Sequence, residues 1–102
     1  MRHASDVHGT VLEVQDPAYT QRYGGDRVTR SDVVDLDPAN PRATIISDLR
    51  AAANIPSDVY DCIILTQTIQ FIFDLQSTVR HLHRALRPGG VLLITAAGIA
   101  PI

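Results

Sequence analysis

The sequence of 102 residues lacks several features by which small proteins are commonly classified. It has no tryptophan and one cysteine, Cys62, which excludes an internal disulfide framework and a cysteine-rich zinc site. No hydrophobic run approaches the roughly 18 residues of a membrane span, and the N-terminal residues carry no signal-peptide core. We therefore expect one cytoplasmic domain over residues 1–102, with residues 1–9 flexible and no contact with a membrane.

An excess of charge of either sign is also missing. Nine basic residues stand against eleven acidic ones, which gives a net charge of −2. This balance disfavours electrostatic binding to nucleic acid, so we expect no nucleic-acid partner. The basic residues are all arginine, and Glu13 is the one glutamate. Coding bias produces such patterns, so they carry no functional weight.

The apolar residues that are present come in five short bursts rich in β-branched side chains. Bursts of this length are typical of strands that are buried on both faces, as in a parallel sheet. The sequence therefore predicts an α/β fold with a Rossmann-like, mostly parallel sheet of about five strands. The predicted strands cover residues 11–14, 28–36, 43–46, 62–65 and 91–95.

A helix is predicted between the fourth and fifth strands. Asp74 is a suitable N-cap, and the residues after it place one apolar stripe along the helix. Pro88, Gly89 and Gly90 then end the helix and turn the chain into the fifth strand. A strand–helix–strand unit of this kind predicts a parallel pair with a right-handed crossover. The stripe consists of Leu75, Val79, Leu82 and Leu86.

The other connections are shorter. The chain between Val14 and Val28 has room for about two helical turns, near residues 19–23. Between Leu36 and Ala43 the chain is much shorter than the dozen or so residues that a parallel crossover usually needs. Either the second and third strands pair in another way, or an extended loop crosses where a helix would normally pack. Both readings leave one face of the sheet poorly covered, which predicts self-association, most simply as a dimer.

Three segments of the sequence resemble stretches of one enzyme family. Residues 57–67 resemble a stretch in which an aromatic–Asp pair precedes an apolar strand, and residues 86–94 resemble the segment L-[KR]-P-G-G-x-L-x-I. Residues 46–49, followed by Ile55 and Pro56, resemble a segment with an acid and an apolar residue. The family is that of the class I S-adenosylmethionine-dependent methyltransferases of the small-molecule type. The resemblance implies S-adenosylmethionine as cofactor and methyl transfer to a small acceptor.

The resemblance also implies roles for particular residues. Glu13, at the end of the first strand, matches the acid that opens the family's E-x-G-x-G-x-G loop. Asp32 matches the acid that holds the ribose hydroxyls, with Asp35 as the alternative because the register of the second strand is open. A carboxylate suits this role because it accepts two hydrogen bonds from a vicinal diol. The remaining matches are Asp48 and Leu49 beside the adenine, and Thr66 and Gln67 at the edge of the methyl-transfer pocket.

The sequence departs from the family in two places. Gln15, Pro17 and Tyr19 follow Glu13 where the family loop carries glycines, which permit close backbone approach to the cofactor. The chain also ends soon after the fifth strand, where the family adds a helix and two strands, so we expect an incomplete methyltransferase core. Two hypotheses follow: an active methyltransferase, or a methyltransferase-fold module without catalysis that acts in binding or self-assembly.

A nicotinamide-dependent enzyme is less favoured than either, because no G-x-G-x-x-G motif follows the first strand. No residue stands at a position that marks it as a general base, so the catalytic residues are not assigned. His81 and His83 are two residues apart on the predicted helix and do not share a face, so no metal site is expected.

Overall fold

The computed structural model describes residues 4–14, 17–35, 37–47, 54–67 and 75–96. Five parallel strands form one sheet in the order β3-β2-β1-β4-β5. This arrangement confirms the predicted α/β fold with a Rossmann-like sheet. The strands are β1 (Gly9–Val14), β2 (Val28–Asp35), β3 (Ile45–Ile46), β4 (Tyr60–Gln67) and β5 (Leu86–Ala96).

Strand β1 lies at the centre of the sheet, between β2 and β4. Successive side chains of a strand point to opposite faces, and both faces of β1 are buried. On one face Leu12 and Val14 pack with residues that include Ile63 and Leu65. On the other face Val11 packs in a separate cluster. Burial on both faces is the reason why these strands appear in the sequence as continuous apolar runs.

Helix α1 (Leu75–Ala85) connects β4 to β5, as predicted. Its buried face is turned slightly from the predicted stripe, because Thr78 is fully buried and Val79 is only half-buried. The sequence pattern placed the end of the helix at Arg87, directly before Pro88. In the structure the helix ends two residues earlier, at Ala85. Its last carbonyls, those of Arg84 and Ala85, accept hydrogen bonds from the backbone of residues 58 and 59. Strand pairing then begins at once at residue 86, so the chain has no room for a further helical turn.

The connection between β2 and β3 resolves the alternatives that its length left open. The two strands are parallel, and the described residues of the connection, 37–44, contain turns but no helix. Strand β3 has only two residues, and they pair with Val34 and Asp35 at the very end of β2. Because the chain does not return along the whole length of β2, a short loop is enough to make a parallel pair.

The connection between β1 and β2 contains a short helical segment, Thr20–Gly24, where the sequence left room for two turns. Tyr19 and Tyr23 stack with ring centroids 6.0 Å apart and pack, together with Val7, against the face of the sheet that we expected to be open. That expectation is wrong for the described residues of this face, because Val11, Cys62 and Ile64 are all fully buried.

Val7 is also fully buried, so the chain contacts the core before β1 begins. The flexibility expected for residues 1–9 stays a prediction. Large apolar side chains are exposed at the two outer strands instead. Ile46 on β3 is 39% exposed and Ile94 on β5 is 45% exposed. The argument for a dimer through an uncovered face therefore no longer holds, and the dimer itself stays a prediction.

Candidate functional site

The carboxyl ends of β1, β2 and β4 meet at one edge of the sheet because the strands are parallel. In open sheets of this kind, ligands bind in the crevice outside the carboxyl ends of the strands. Two acids, Glu13 and Asp35, lie at this edge, at the ends of β1 and β2. We refer to it below as the carboxyl edge.

Glu13 is almost fully buried, and its carboxylate binds the first turn of the helical segment that follows β1. Its Oε1 accepts hydrogen bonds from the backbone N–H and the hydroxyl of Thr20, each at 2.8 Å. Its Oε2 accepts one from the backbone N–H of Tyr19 at 3.1 Å. The N–H groups of a first helical turn have no partners within the helix, so an acceptor, and a negative one above all, stabilises them. Glu13 therefore holds this turn against the end of β1.

Asp35 is the last residue of β2 and is half-buried. Its Oδ1 accepts a hydrogen bond from the backbone N–H of Asp37 at 3.3 Å, and its Oδ2 accepts one from the side-chain amide of Asn40 at 2.8 Å. The amide is itself oriented, because Asn40 Oδ1 accepts a hydrogen bond from the backbone N–H of Arg42 at 3.0 Å. Each carboxylate oxygen accepts more than one hydrogen bond, so this oriented carboxylate can also accept from a ligand.

Asp32 lies three residues earlier on β2, opposite Leu12 of β1, and is 5% exposed. Its Oδ2 accepts a hydrogen bond from the Tyr60 hydroxyl at 2.8 Å, and its Oδ1 accepts one from the Thr44 hydroxyl at 3.1 Å. The Nε atom of Arg30 lies 3.4 Å from Oδ2. The structure thus separates the two acids that were alternatives for the ribose: Asp32 lies inside the sheet, and Asp35 lies at the carboxyl edge.

The other predicted site residues are only partly covered by the structure. Thr66 and Gln67 form the carboxyl end of β4, where their backbones pair with the last two residues of β5. Asp48 and Leu49 lie outside the described residues. The structure therefore brings Glu13, Asp35 and the end of β4 to one edge of the sheet.

Sequence reasoning missed the roles of Tyr60, Thr44 and Asn40. Tyr60 is the aromatic residue of the aromatic–Asp pair, and it is fully buried. Burial raises the pKa of Tyr60 well above its ordinary value of 10.0, and the hydrogen bond to Asp32 and the charge of Asp32 raise the pKa further. The hydroxyl is therefore a permanent donor to Asp32 at neutral pH. A local sequence pattern could not predict this hydrogen bond, because its partners are 28 residues apart.

The acid of the same pair, Asp61, acts at the opposite edge of the sheet. Its Oδ2 accepts a hydrogen bond from the backbone N–H of Thr10 at 2.9 Å, and its Oδ1 lies 3.6 Å from Nη1 of Arg87. Gly9 makes this approach possible. A Cβ atom there would lie 2.2 Å from Asp61 Oδ2, and φ at Gly9 is +67°. Asp61 thus ties β1, β4 and β5 together at their amino ends.

The described residues include no group of three or more His, Cys, Asp or Glu side chains arranged to hold a metal ion. Within the same part of the chain, no helix is long and apolar enough to span a bilayer.

Comparison with known proteins gives matches of two kinds. A family model described as a methyltransferase domain matches residues 18–94. The structure is similar to that of a proposed type II methyltransferase from Anaeromyxobacter dehalogenans, with a TM-score of 0.63 and 24% sequence identity over 91% of this chain. The match covers 44% of that protein, so this chain spans less than half of its length. At this identity the likeness establishes the fold alone. No curated protein matches the sequence.

Proposed function

Because the chain belongs to the methyltransferase domain family, we propose that it binds S-adenosylmethionine at the carboxyl edge and transfers the methyl group to a small acceptor. The observation that supports this proposal most directly is the position of Asp35. Its carboxylate is half-buried at the end of β2, is oriented by Asn40, and keeps the capacity to accept hydrogen bonds from a ribose diol. Asp32 is only 5% exposed and lies inside the sheet, whereas Asp35 is half-buried at the end of β2, so we assign the ribose to Asp35.

The remaining residues have supporting roles in this proposal. Glu13 shapes the chain after β1 by holding the turn at Tyr19 and Thr20. Asp48 and Leu49, which follow β3 in the sequence, contact the adenine as the resemblance implies. Thr66 and Gln67 border the acceptor pocket from the end of β4.

When bound, S-adenosylmethionine supplies a methyl group that its sulfonium has already activated. The task left to the protein is to align donor and acceptor and to exclude water.

A second candidate is a methyltransferase-fold module without catalysis, which binds or assembles with other molecules, including a second copy of the chain. The segment after β1 favours it. Pro17 stands where the family has glycine, and the carboxylate of Glu13 is already bound by the chain's own helical turn. A dimer mass in sedimentation, without cofactor binding, is the result expected for this candidate. A monomer mass at tens of micromolar together with cofactor binding contradicts it.

Calorimetric titration with S-adenosylmethionine and S-adenosylhomocysteine tests the first candidate. We expect a dissociation constant on the order of micromolar, weakened about tenfold or more in Asp35→Asn, because a charge-assisted hydrogen bond contributes about 1.5–3 kcal/mol. Asp26→Asn is the matched control, since it removes the same charge at an exposed position before β2. We expect its affinity to stay within about twofold of the unaltered chain.

Three results would change the proposal. An absence of heat at millimolar ligand would overturn cofactor binding and leave the second candidate, the module without catalysis. Equal affinity in Asp35→Asn and Asp26→Asn would show that Asp35 does not bind the ribose. Unchanged affinity in Asp48→Ala would show that Asp48 does not bind the adenine.

A further inference from the structure

A chain of hydrogen bonds crosses the sheet from β4 to the start of β3. The hydroxyl of Tyr60 donates to Asp32 Oδ2 at 2.8 Å, and the hydroxyl of Thr44 donates to Asp32 Oδ1 at 3.1 Å. Tyr60 lies on β4 and Asp32 lies on β2, and the central strand β1 separates these two strands. The series of hydrogen bonds therefore passes over β1. Tyr60 is fully buried and Asp32 nearly so. The hydrogen bond between these two buried groups resists exchange with water, which makes the Tyr60–Asp32 pair a fixed point in the sheet, and Thr44 joins this pair from an exposed position.

Thr44 links this fixed point to the backbone that leads into β3. Its hydroxyl accepts a hydrogen bond from the backbone N–H of Val33 at 2.9 Å, and its own N–H donates to the carbonyl of Val33 at 2.8 Å. Strand β3 begins at the next residue and pairs with the last two residues of β2. The position of β3 along β2 is therefore set at Thr44.

The loop that ends at Thr44 is the loop that orients the carboxylate of Asp35. Its residues are exposed or half-buried, so hydrogen bonds rather than packing define its shape. Asn40 lies in the middle. Its backbone N–H donates to the carbonyl of Asp37 at 3.2 Å, and its carbonyl accepts from the N–H of Ala43 at 3.2 Å. Its side chain donates to Asp35 Oδ2. Asn40 thus connects the end of the loop beside Thr44 to the carboxylate of Asp35 through hydrogen bonds.

We propose that the Tyr60–Asp32–Thr44 hydrogen-bond chain positions the Asp35 carboxylate for the ribose hydroxyls. The three are positioning residues, since they act through Asp35 and lie away from the ligand. This inference rests on the proposed function, in which Asp35 accepts the ribose.

The experiment measures how strongly the protein prefers a ribose to a deoxyribose. Calorimetry gives the affinities for S-adenosylhomocysteine and for its 2′-deoxyribose counterpart, and their ratio reports the hydrogen bond to the 2′-hydroxyl. We expect a ratio of about ten or more in the unaltered chain, and a fall of at least about threefold in Thr44→Val. A general loss of stability leaves the ratio unchanged, because both ligands bind the same folded protein.

Two variants are controls for Thr44→Val. Thr44→Ser keeps the hydroxyl, so we expect it to keep the ratio of the unaltered chain. Thr29→Val removes an exposed threonine hydroxyl elsewhere on β2, and we expect no change. The double variant Asp35→Asn/Thr44→Val should have the same ratio as Asp35→Asn alone, because the effect of Thr44 passes through Asp35.

The outcomes separate this inference from the proposed function. A low ratio in Asp35→Asn together with an unchanged ratio in Thr44→Val overturns the positioning role and leaves the ribose assignment in place. An unchanged ratio in Asp35→Asn overturns the assignment of the ribose to Asp35, and no binding by the unaltered chain overturns cofactor binding. Either result overturns this inference as well.

Discussion

The two halves of the sheet are held together by different forces. In the helical half, residues 60–96, β4 and β5 are joined by helix α1, and the side chains of Leu82 and Ala85 are completely buried. In the acidic half, residues 9–47, the connections are short, and polar side chains fix them in addition to the packing of Tyr19 and Tyr23 on the sheet. Glu13 binds the turn after β1, and Thr44 and Asn40 bind the loop after β2.

The difference shows what replaces a helix when a connection is too short to form one. Buried apolar surface contributes roughly 25 cal/mol per Å², so a packed helix stabilises its strands strongly without defining the direction of any one side chain. A hydrogen bond contributes only about 0.5–1.5 kcal/mol net, but it fixes two atoms relative to each other. The hydrogen-bonded connections of the acidic half therefore contribute less stability and more precise geometry. The carboxylate that we assign to the ribose is in this half.

The largest effect that separates the halves is expected from Leu82→Ala in the helical half. Removing this fully buried side chain leaves a cavity, and we expect a loss of about 3 kcal/mol in the free energy of unfolding. Urea denaturation measures it. Ile94→Ala on β5 is the control, because that side chain is 45% exposed, and we expect a loss below about 1 kcal/mol. Equal losses in the two variants would contradict the claim that packing beneath α1 holds this half.

The next effect is expected from Tyr60→Phe, which removes a buried side-chain hydrogen bond between the two halves. The variant leaves the buried carboxylate of Asp32 without one of its donors, at a cost of about 1–3 kcal/mol. Tyr23→Phe is the control, since it removes a hydroxyl from a half-buried ring that stacks on Tyr19. We expect a change below about 0.5 kcal/mol there. If thermal unfolding shows the same change in both variants, the bond between Tyr60 and Asp32 does not stabilise the sheet.

A third effect concerns Cys62, which lies on β4 against β1, where the halves meet. Burial, followed by the negative charges of Asp6, Glu13 and Asp61, raises the pKa of its thiol from 9.0 to about 12. Above pH 9 the unfolded chain loses this proton while the folded chain keeps it. Between pH 9 and 12 the thiol should therefore lower the free energy of unfolding by about 1.4 kcal/mol per pH unit.

Urea denaturation across this pH range tests the role of the thiol. Cys62→Ala should show a shallower decline with pH, whatever its stability at neutral pH. Tyr60 adds its own decline at higher pH in both proteins, because its pKa is raised in the same direction. Identical slopes in the two proteins would mean that the thiol does not resist ionisation.

The smallest effect is expected from Thr78→Val in α1, and it is a gain. The Thr78 hydroxyl is fully buried and has no hydrogen-bond partner among the described residues. Valine has nearly the same shape and no unpaired polar atom, so we expect about 1 kcal/mol of added stability. The reverse exchange at the half-buried neighbour, Val79→Thr, should give no gain. A loss in Thr78→Val would show that the hydroxyl is hydrogen-bonded in solution.

Much of the helical half could be predicted from the sequence. The apolar runs located β4 and β5, and the spacing of the apolar residues located α1. The face that α1 buries was predicted less accurately, because Thr78 and Val79 are adjacent and their hydropathy alone favours the wrong one. Helix propensity and periodicity do not contain the angle at which a helix packs on its sheet.

In the acidic half, the sequence located the acids and could not decide between them. Asp32 and Asp35 are on one strand, and only the pairing of β2 with β1 and β3 shows which of them reaches the end of the sheet. The parallel pair formed by β3 was equally open, because its short connection suffices only for a strand of two residues. The length of β3 depends on where Thr44 meets β2, which is a contact between different strands.

The sequence by itself determined that this protein has a parallel α/β sheet with a helix between its last two strands, because hydrophobic periodicity and run length are local properties of a chain. It also located the acids to one of which we assign the ribose. Only the tertiary structure decided that Asp32 is a buried partner of Tyr60 and that Asp35 is the acid at the carboxyl edge. The physical reason is that burial and hydrogen bonding here join groups 12 and 28 residues apart, and such contacts exist only once the strands have paired.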